Sequence, residues 1–356
     1  MKIIITGGAG YIGSHTAVEA LRAGHEVIII DDLSNSTKDA LSNIYKASGK
    51  KPLFCEMSLL KNPLDIYDLI GEHARNSDAL IHFAAFKSSP ESKENPLSYY
   101  RNNTGSLMTA IRLCEILSIK NFIFSSSCTV YGEPEYLPIN ESHPILRGTT
   151  PYGCTKIMGE WILQDCTAVK KLKSVALRYF NPAGADHTYL IGENPKGRPG
   201  NLVPIITQAA AGIYEQPIKV TGVDYPTPDG SAIRDYIHVT DLAQAHLAAL
   251  EWINKQEIHT YETFNIGTGK GTSVYEMIET FVMDVEPDLI ICEKADRRPG
   301  DTAEVWCDPS KAKDVLGWEA KLNTLDILKS AWEWEKRLRG ITEGPDLNDG
   351  EGIQIS

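Results

Sequence analysis

Ile3-Ile4-Ile5-Thr6-Gly7-Gly8-Ala9-Gly10-Tyr11-Ile12-Gly13-Ser14 is the stretch that decides how this chain folds. An apolar run leads into three glycines at three-residue steps, and a segment of helical period, 14–23, follows and stops at Gly24. Each glycine has a separate job. Gly7 permits a tight turn, Gly10 lets backbone approach a pyrophosphate, and Gly13 lets helix and strand pack closely. The helix start then offers free N–H groups to phosphate oxygens. Glycine loops alone are weak signals, but here the strand comes before and the helix after, as phosphate binding requires. The next apolar run, 27–30, ends in Asp31-Asp32, near the roughly 20-residue spacing at which a carboxylate meets a ribose diol. A carboxylate there repels a 2′-phosphate, so the expected cofactor is NAD rather than NADP.

Further apolar runs lie at 80–83, 122–124 and 175–177. Strands that are apolar throughout are covered on both faces. Between them, Leu107, Ala110, Ile111, Cys114 and Leu117 mark one buried face of a helix expected over 99–118. This alternation predicts an α/β fold, a Rossmann-type doubly wound parallel sheet. From residue 181 the texture changes. Residues 181–204 are rich in Gly, Pro and Asn and read as a long functional loop. The expected division is a cofactor-binding domain over 1–180 with a returning segment at about 235–268. A smaller mixed α/β substrate-binding domain takes 181–234 and 269–339, and 340–356 is an acidic, disordered tail.

Composition narrows the function. A net charge of −12 argues against nucleic-acid binding. No window approaches a membrane span. The chain runs from Met1-Lys2 straight into a strand with no leader pattern, and its seven cysteines form no C-x-x-C, so a cytoplasmic protein with reduced thiols is expected. The nine histidines do not cluster at ligand spacing, and no metal site is expected.

The run at 122–124 leads into Ser125-Ser126-Ser127-Cys128-Thr129, and Pro151-Tyr152-Gly153-Cys154-Thr155-Lys156 comes later. Tyr152 and Lys156 are one helical turn apart on the same face. A phenol ionises near pH ~10 and becomes a base at neutrality only beside positive charge. Lys156 and an oxidised nicotinamide both supply it, while Ser127 can bond the same substrate oxygen. Tyr152, Lys156 and Ser127 are therefore the candidate catalytic residues. These residues alone also suit a simple NAD-dependent alcohol dehydrogenase. A noncatalytic dinucleotide sensor has no need of all three.

Beyond these pieces stand His82-Phe83-Ala84-Ala85 with Lys87, the run 121–132 (NFIFSSSCTVYG), 177–184 (LRYFNPAG), Asp224-Tyr225-Pro226-Thr227 and 234–239 (RDYIHV). Over nearly all of residues 1–335 the chain resembles the UDP-glucose 4-epimerase family of extended short-chain dehydrogenases. The resemblance implies reversible 4-epimerisation of UDP-hexoses through a transient 4-keto sugar and bound NADH, in a homodimer. It implies NAD contacts from Gly7, Gly10, Tyr11, Ile12, Gly13, Asp31, Asp32, Asn35, Ser36, Ser58, Phe83 and Ala84. Lys87, Asn102, Tyr152, Lys156, Tyr179 and Phe180 would complete that set around the diphosphate and nicotinamide. Lys87, Ser127, Asn181, Asn201, Leu202, Arg234, Arg298, Asp301 and Val305 would hold the UDP-sugar. A sugar-nucleotide dehydratase needs acids beside the serine, where this chain has Cys128 and Thr129. An epimerase for UDP-glucuronate or a UDP-pentose differs by only a few pocket side chains.

Three departures stand out. Ser58 replaces the family's usual Asp, Ser88-Ser89-Pro90 replaces a small Gly-containing run, and Val305 takes a place where a bulky tyrosine would exclude an N-acetyl group. The smaller Val305 implies that UDP-N-acetylhexosamines are accepted as well.

Overall fold

The computed structural model describes residues 1–145, 148–286, 292–298 and 300–341. The expected tail therefore lies outside the described residues except for Gly340 and Ile341. Seven strands form one sheet: β1 (Lys2–Thr6), β2 (Glu26–Asp31), β3 (Leu53–Glu56), β4 (Ala79–His82), β5 (Asn121–Ser127), β6 (Lys173–Tyr179) and β7 (Tyr261–Ile266). Their order is β7-β6-β5-β4-β1-β2-β3, and every pairing is parallel. Strand order reverses between β1 and β4, and in such sheets ligands bind in the crevice beyond the carboxyl ends at that point.

Alternating side chains divide the core in two. On one face Ile3, Ile5, Val27 and Ile29 pack against α1 (Tyr11–Arg22) and a helix at Val239–Asn254. On the other, Ile4, Ile28 and Ile30 join a cluster with Ile66 and Ile70 of a helix at Pro63–Ala74, and with Leu107, Ile111 and Leu163. Ile3, Ile4 and Ile5 are fully buried, worth about 2 kcal/mol each relative to exposure. The remaining helices are best named by residue: Asp39–Ser48, Ser89–Glu94, Pro96–Leu117, Pro151–Val169, Leu202–Ala210, Val274–Asp284 and Thr324–Arg339.

Three boundaries differ from expectation. Helix α1 starts at Tyr11 rather than Ser14, because Gly10 already stands at its N-cap. The helix expected at 99–118 is Pro96–Leu117, opened by a proline in its first turn, where the missing N–H costs nothing. The loop expected over 181–204 is broken up by a strand at Asn181–Ala183 and by the helix that starts at Leu202.

Beside the large sheet stand three sets of short strands. Asn181–Ala183 pairs with Tyr236–His238, and Ile218–Thr221 with Cys292–Ala295. Ile233–Arg234 lies between Thr272–Ser273 and Glu304–Val305. Val203, Ile206, Met277, Phe281, Ile327 and Trp332 give this region its own apolar cluster. Among the described residues no helix is long and apolar enough to cross a membrane.

Candidate active site

The glycine loop is tight where its spacing says it should be. Gly7 has φ +70°, and a Cβ there would lie 2.7 Å from the Ala84 nitrogen. A Cβ on Gly13 would lie 2.2 Å from the Gly7 oxygen, so neither position takes a side chain without movement. Gly10 meets only the Gly7 oxygen, at 3.2 Å, and α1 has no side-chain cap. The first N–H groups of α1 are thus left for an outside acceptor. Tyr11 donates to the Gly184 oxygen at 2.7 Å, and Ile12 packs on the core.

At the end of β2, the Asp31 carboxylate accepts from the Ala9 N–H at 3.0 Å, the Leu33 N–H at 2.8 Å and the Ser36 hydroxyl at 3.3 Å. Burial pushes its pKa up and these donors pull it back. Asp32 accepts from the Ser34 N–H, Asn35 is exposed, and Ser58 accepts from the Leu60 N–H at 3.3 Å. Phe83 follows β4, with its ring 4.7 Å from that of His246. The residues fit a dinucleotide: a cradle that a Cβ would fill, an uncapped helix start and a carboxylate fixed in place.

The catalytic candidates meet at the end of β5. Ser127 caps a short 3-10 turn, Cys128–Tyr131, by accepting from the Thr129 N–H at 3.2 Å. The helix Pro151–Val169 opens with Thr150 accepting from the Gly153 N–H and a proline in its first turn. Tyr152 therefore sits in that first turn and Lys156 in the next. The Lys156 ammonium lies 5.7 Å from the Tyr152 ring centre and donates to the Ser125 oxygen at 2.5 Å. Burial pushes the Tyr152 phenol up to about 12, and a hydrogen bond with Ser127 pulls the other way. Burial also lowers Lys156 to about 7, opposed by the Glu160 carboxylate one turn further on. Tyr179 pairs with Ser127 across β5 and β6, and Phe180 follows it.

The residues expected to hold a UDP-sugar divide. Arg234 faces Asp301 at 3.3 Å and donates to the Thr302 oxygen at 2.9 Å. Val305 is the strand partner of Arg234 and, like Cys128, packs against the apolar cluster that contains Phe180 and Cys307. Asn181 donates its N–H to the Asp235 oxygen at 2.9 Å. Lys87 and Asn201 both reach one oxygen of Glu193, at 2.8 and 2.7 Å. Leu202 packs against the apolar cluster of Val203, Met277, Phe281 and Trp332, and Arg298 is exposed. Asn102 donates to Asn103, whose buried amide bonds Phe86 and the Thr155 hydroxyl.

Four polar residues escaped the sequence reading: Glu193, Asn103, Glu160 and Asp235. The last is fully buried. Its carboxylate accepts from the Thr268 N–H and hydroxyl at 2.8 and 2.7 Å, from the Gly269 N–H at 3.1 Å and from the Cys307 thiol at 3.3 Å. It thus joins the segment after β7 to the segment after Val305.

The family model for the NAD dependent epimerase/dehydratase family matches residues 3–267. A UDP-glucose 4-epimerase from Bacillus subtilis is 46% identical over 337 residues, 94% of this chain and 97% of that protein. One from Yersinia enterocolitica is 45% identical over 94% of this chain and 98% of its own length. A UDP-glucose 4-epimerase from Bifidobacterium longum, solved with NAD+ and UDP, superposes with a TM-score of 0.89 at 38% identity, covering 95% of this chain and 98% of that one. The UDP-Glc/GlcNAc 4-epimerase from Campylobacter jejuni superposes with a TM-score of 0.79 at 38% identity, over 94% of this chain and 99% of that one. The glycine cradle, the Ser-Tyr-Lys cluster and these matches converge on one assignment: the chain belongs to the NAD dependent epimerase/dehydratase family.

Proposed function

We propose that the chain interconverts UDP-glucose and UDP-galactose by 4-epimerisation. The observation that carries this is the meeting of Ser127, Tyr152 and Lys156 at the end of β5, in the sheet whose first strand leads into the cradle of Gly7, Gly10 and Gly13. The segment that follows Ser127 supplies a thiol and a hydroxyl, Cys128 and Thr129, where a dehydratase needs acids.

Gly7, Gly10 and Gly13 with the start of α1 receive the cofactor diphosphate, and Asp31 its adenine-side ribose. Tyr11, Ile12, Asp32, Asn35, Ser36, Ser58, Phe83, Ala84, Asn102, Tyr179 and Phe180 surround it. When bound, NAD would supply a hydride acceptor and donor for C4 of the sugar and, oxidised, a positive charge that favours the Tyr152 phenolate. Tyr152 takes the proton of the 4-hydroxyl and later returns it. Lys156 stabilises the phenolate, and Ser127 holds the same oxygen. Asn181, Asn201, Leu202, Arg234, Arg298 and Asp301 grip the UDP, where the planar arginine forks suit a diphosphate. The apolar wall of Phe180, Cys128 and Val305 leaves the hexose free to turn between the two transfers. Incubation with UDP-glucose and no added NAD, followed by NMR, is expected to yield UDP-galactose with no free NADH. Accumulation of NADH in the presence of bulk NAD would instead mark a dehydrogenase.

Val305 favours a second, wider reading in which UDP-GlcNAc and UDP-GalNAc are also substrates. Its side chain is small and half-buried in that wall. Val305→Tyr is expected to abolish UDP-GlcNAc turnover and spare UDP-glucose; equal UDP-GlcNAc rates in both proteins would sink this reading. UDP-glucuronate and UDP-xylose belong in the same panel, because turnover of either alone would redirect the assignment.

The domain division given above follows the same reading, with 1–180 and 235–268 holding cofactor and 181–234 with 269–339 holding UDP-sugar. The protein works as a cytoplasmic homodimer. Leu97 and Met108 on Pro96–Leu117, and Met158 and Trp161 on Pro151–Val169, are exposed apolar side chains on neighbouring helices, a surface of the kind that pairs. Light scattering at twice the chain mass is the expected result.

A further inference from the structure

Glu193 stands where a carboxylate is least expected. Under the reading above, its surroundings receive two diphosphates, yet its side chain is only 8% exposed and carries an acidic group into that space. Its backbone is fixed from behind. The Trp334 indole donates to its carbonyl at 3.3 Å, and the neighbouring Gly192 lies so close to the Trp334 ring that a Cβ would sit 2.4 Å from it.

One oxygen of that carboxylate receives both the Lys87 ammonium at 2.8 Å and the Asn201 amide at 2.7 Å. Lys87 follows β4 and lies 5.9 Å from the ring of Tyr11 in the glycine loop. Asn201 stands at the N-cap of the helix Leu202–Ala210, but its side chain makes no capping bond. Asparagine at an N-cap ordinarily accepts from the first-turn N–H groups. Here its amide is turned to Glu193, and the helix start has no side-chain cap. An anionic oxygen thus holds a cation and an amide donor beside an uncapped helix start, a donor set that suits a phosphate oxygen equally well.

We propose that Glu193 is a displaceable counter-anion. It holds Lys87 and Asn201 while the diphosphate subsite is empty and yields both to the diphosphate of the UDP-sugar. The exchange is cheap on the lysine side. Lys87 is half exposed, and ion pairs of that kind contribute little net stability. Glu193 is then a positioning residue that weakens UDP binding by competition, which keeps the nucleotide from being held too tightly to leave.

The proposal rests on the UDP-sugar reading, so its test uses binding of UDP and not turnover alone. UDP is titrated into the NAD-loaded enzyme by calorimetry for wild type, Glu193→Gln and Glu193→Ala. Both variants are expected to bind UDP about fivefold tighter, with a lower KM for UDP-glucose and no gain in kcat. In a Lys87→Met background the Glu193→Gln gain should shrink. Weaker UDP binding in both variants, worst with alanine, would show that Glu193 merely shapes the site and would overturn the proposal, as would unchanged affinity. Wild-type enzyme that ignores UDP would overturn the functional reading together with this one. If Glu193→Gln does not fold, the alanine variant carries the same sign.

Discussion

The seven-stranded sheet and the short strands beside it are built on different principles. In the sheet, four- to seven-residue parallel strands carry the site on backbone geometry: a left-handed Gly7, an uncapped α1 and side chains set by register. Beside it, strands of two to four residues are too short to hold themselves, and buried side chains hold them instead. Asp235 alone ties Thr268, Gly269 and Cys307 together, and Arg234 reaches the backbone of Ile233 and Thr302. Damage to the first region should therefore come from adding atoms, and damage to the second from removing a charge.

The largest effect is expected where the two regions share one reaction. Tyr152→Phe removes the proposed proton acceptor and should lower kcat about a thousandfold while cofactor stays bound, measured by absorbance of the purified protein. Near-normal turnover would exclude Tyr152 as the base. Gly13→Ala tests the first region: its Cβ would have to displace the Gly7 carbonyl, so cofactor should be lost on desalting. An alanine variant that keeps full cofactor would break the contrast.

Asp235→Asn tests the second region. It is expected to raise KM for UDP-glucose about tenfold and to leave cofactor retention intact. Loss of cofactor instead would mean that the two regions are not separately held.

The smallest effect is on acid stability, and it belongs to both regions, with His82 in the sheet, His246 on the helix Val239–Asn254 and His238 at the end of the short strand Tyr236–His238. Burial holds His82 at about 3 and His238 and His246 at about 4. Unfolded, they protonate near pH ~6.5. Lowered native values mean that the unfolded chain binds more protons below that pH, so stability is present above it and is lost as pH falls toward 4. Urea midpoints should drop steadily from pH 6.5 to 4.5. A flat profile over that interval would show these rings are not kept neutral.

What the sequence reveals follows the same divide. Ile3-Ile4-Ile5 and the glycines are legible because covered strands are continuously apolar and tight turns admit one residue type. Strands β3 and β7 are harder to see: Leu53-Phe54-Cys55-Glu56 and Tyr261-Glu262-Thr263 sit at the edges, where polar side chains enter. Tyr152 and Lys156 announce themselves by helical spacing. Glu193 and Asp235 do not, because neither partner set has a sequence period: Glu193 bonds Lys87 and Asn201, and Asp235 bonds Thr268, Gly269 and Cys307. The resemblance could name Arg234 with its partner Asp301, and Asn201, but not the Glu193 carboxylate that holds Asn201.

Val305 sits on a strand of two residues, paired to Ile233–Arg234. It belongs to the three-strand set beside the large sheet and not to the sheet itself. On the reading proposed above, a change of the Val305 side chain is expected to alter which sugar fits while leaving Ser127, Tyr152 and Lys156 in place. In evolutionary terms, the chemistry is written into the chassis and the diet into a detachable trim. On that reading, a single substitution at Val305 would be enough to change what the protein feeds on.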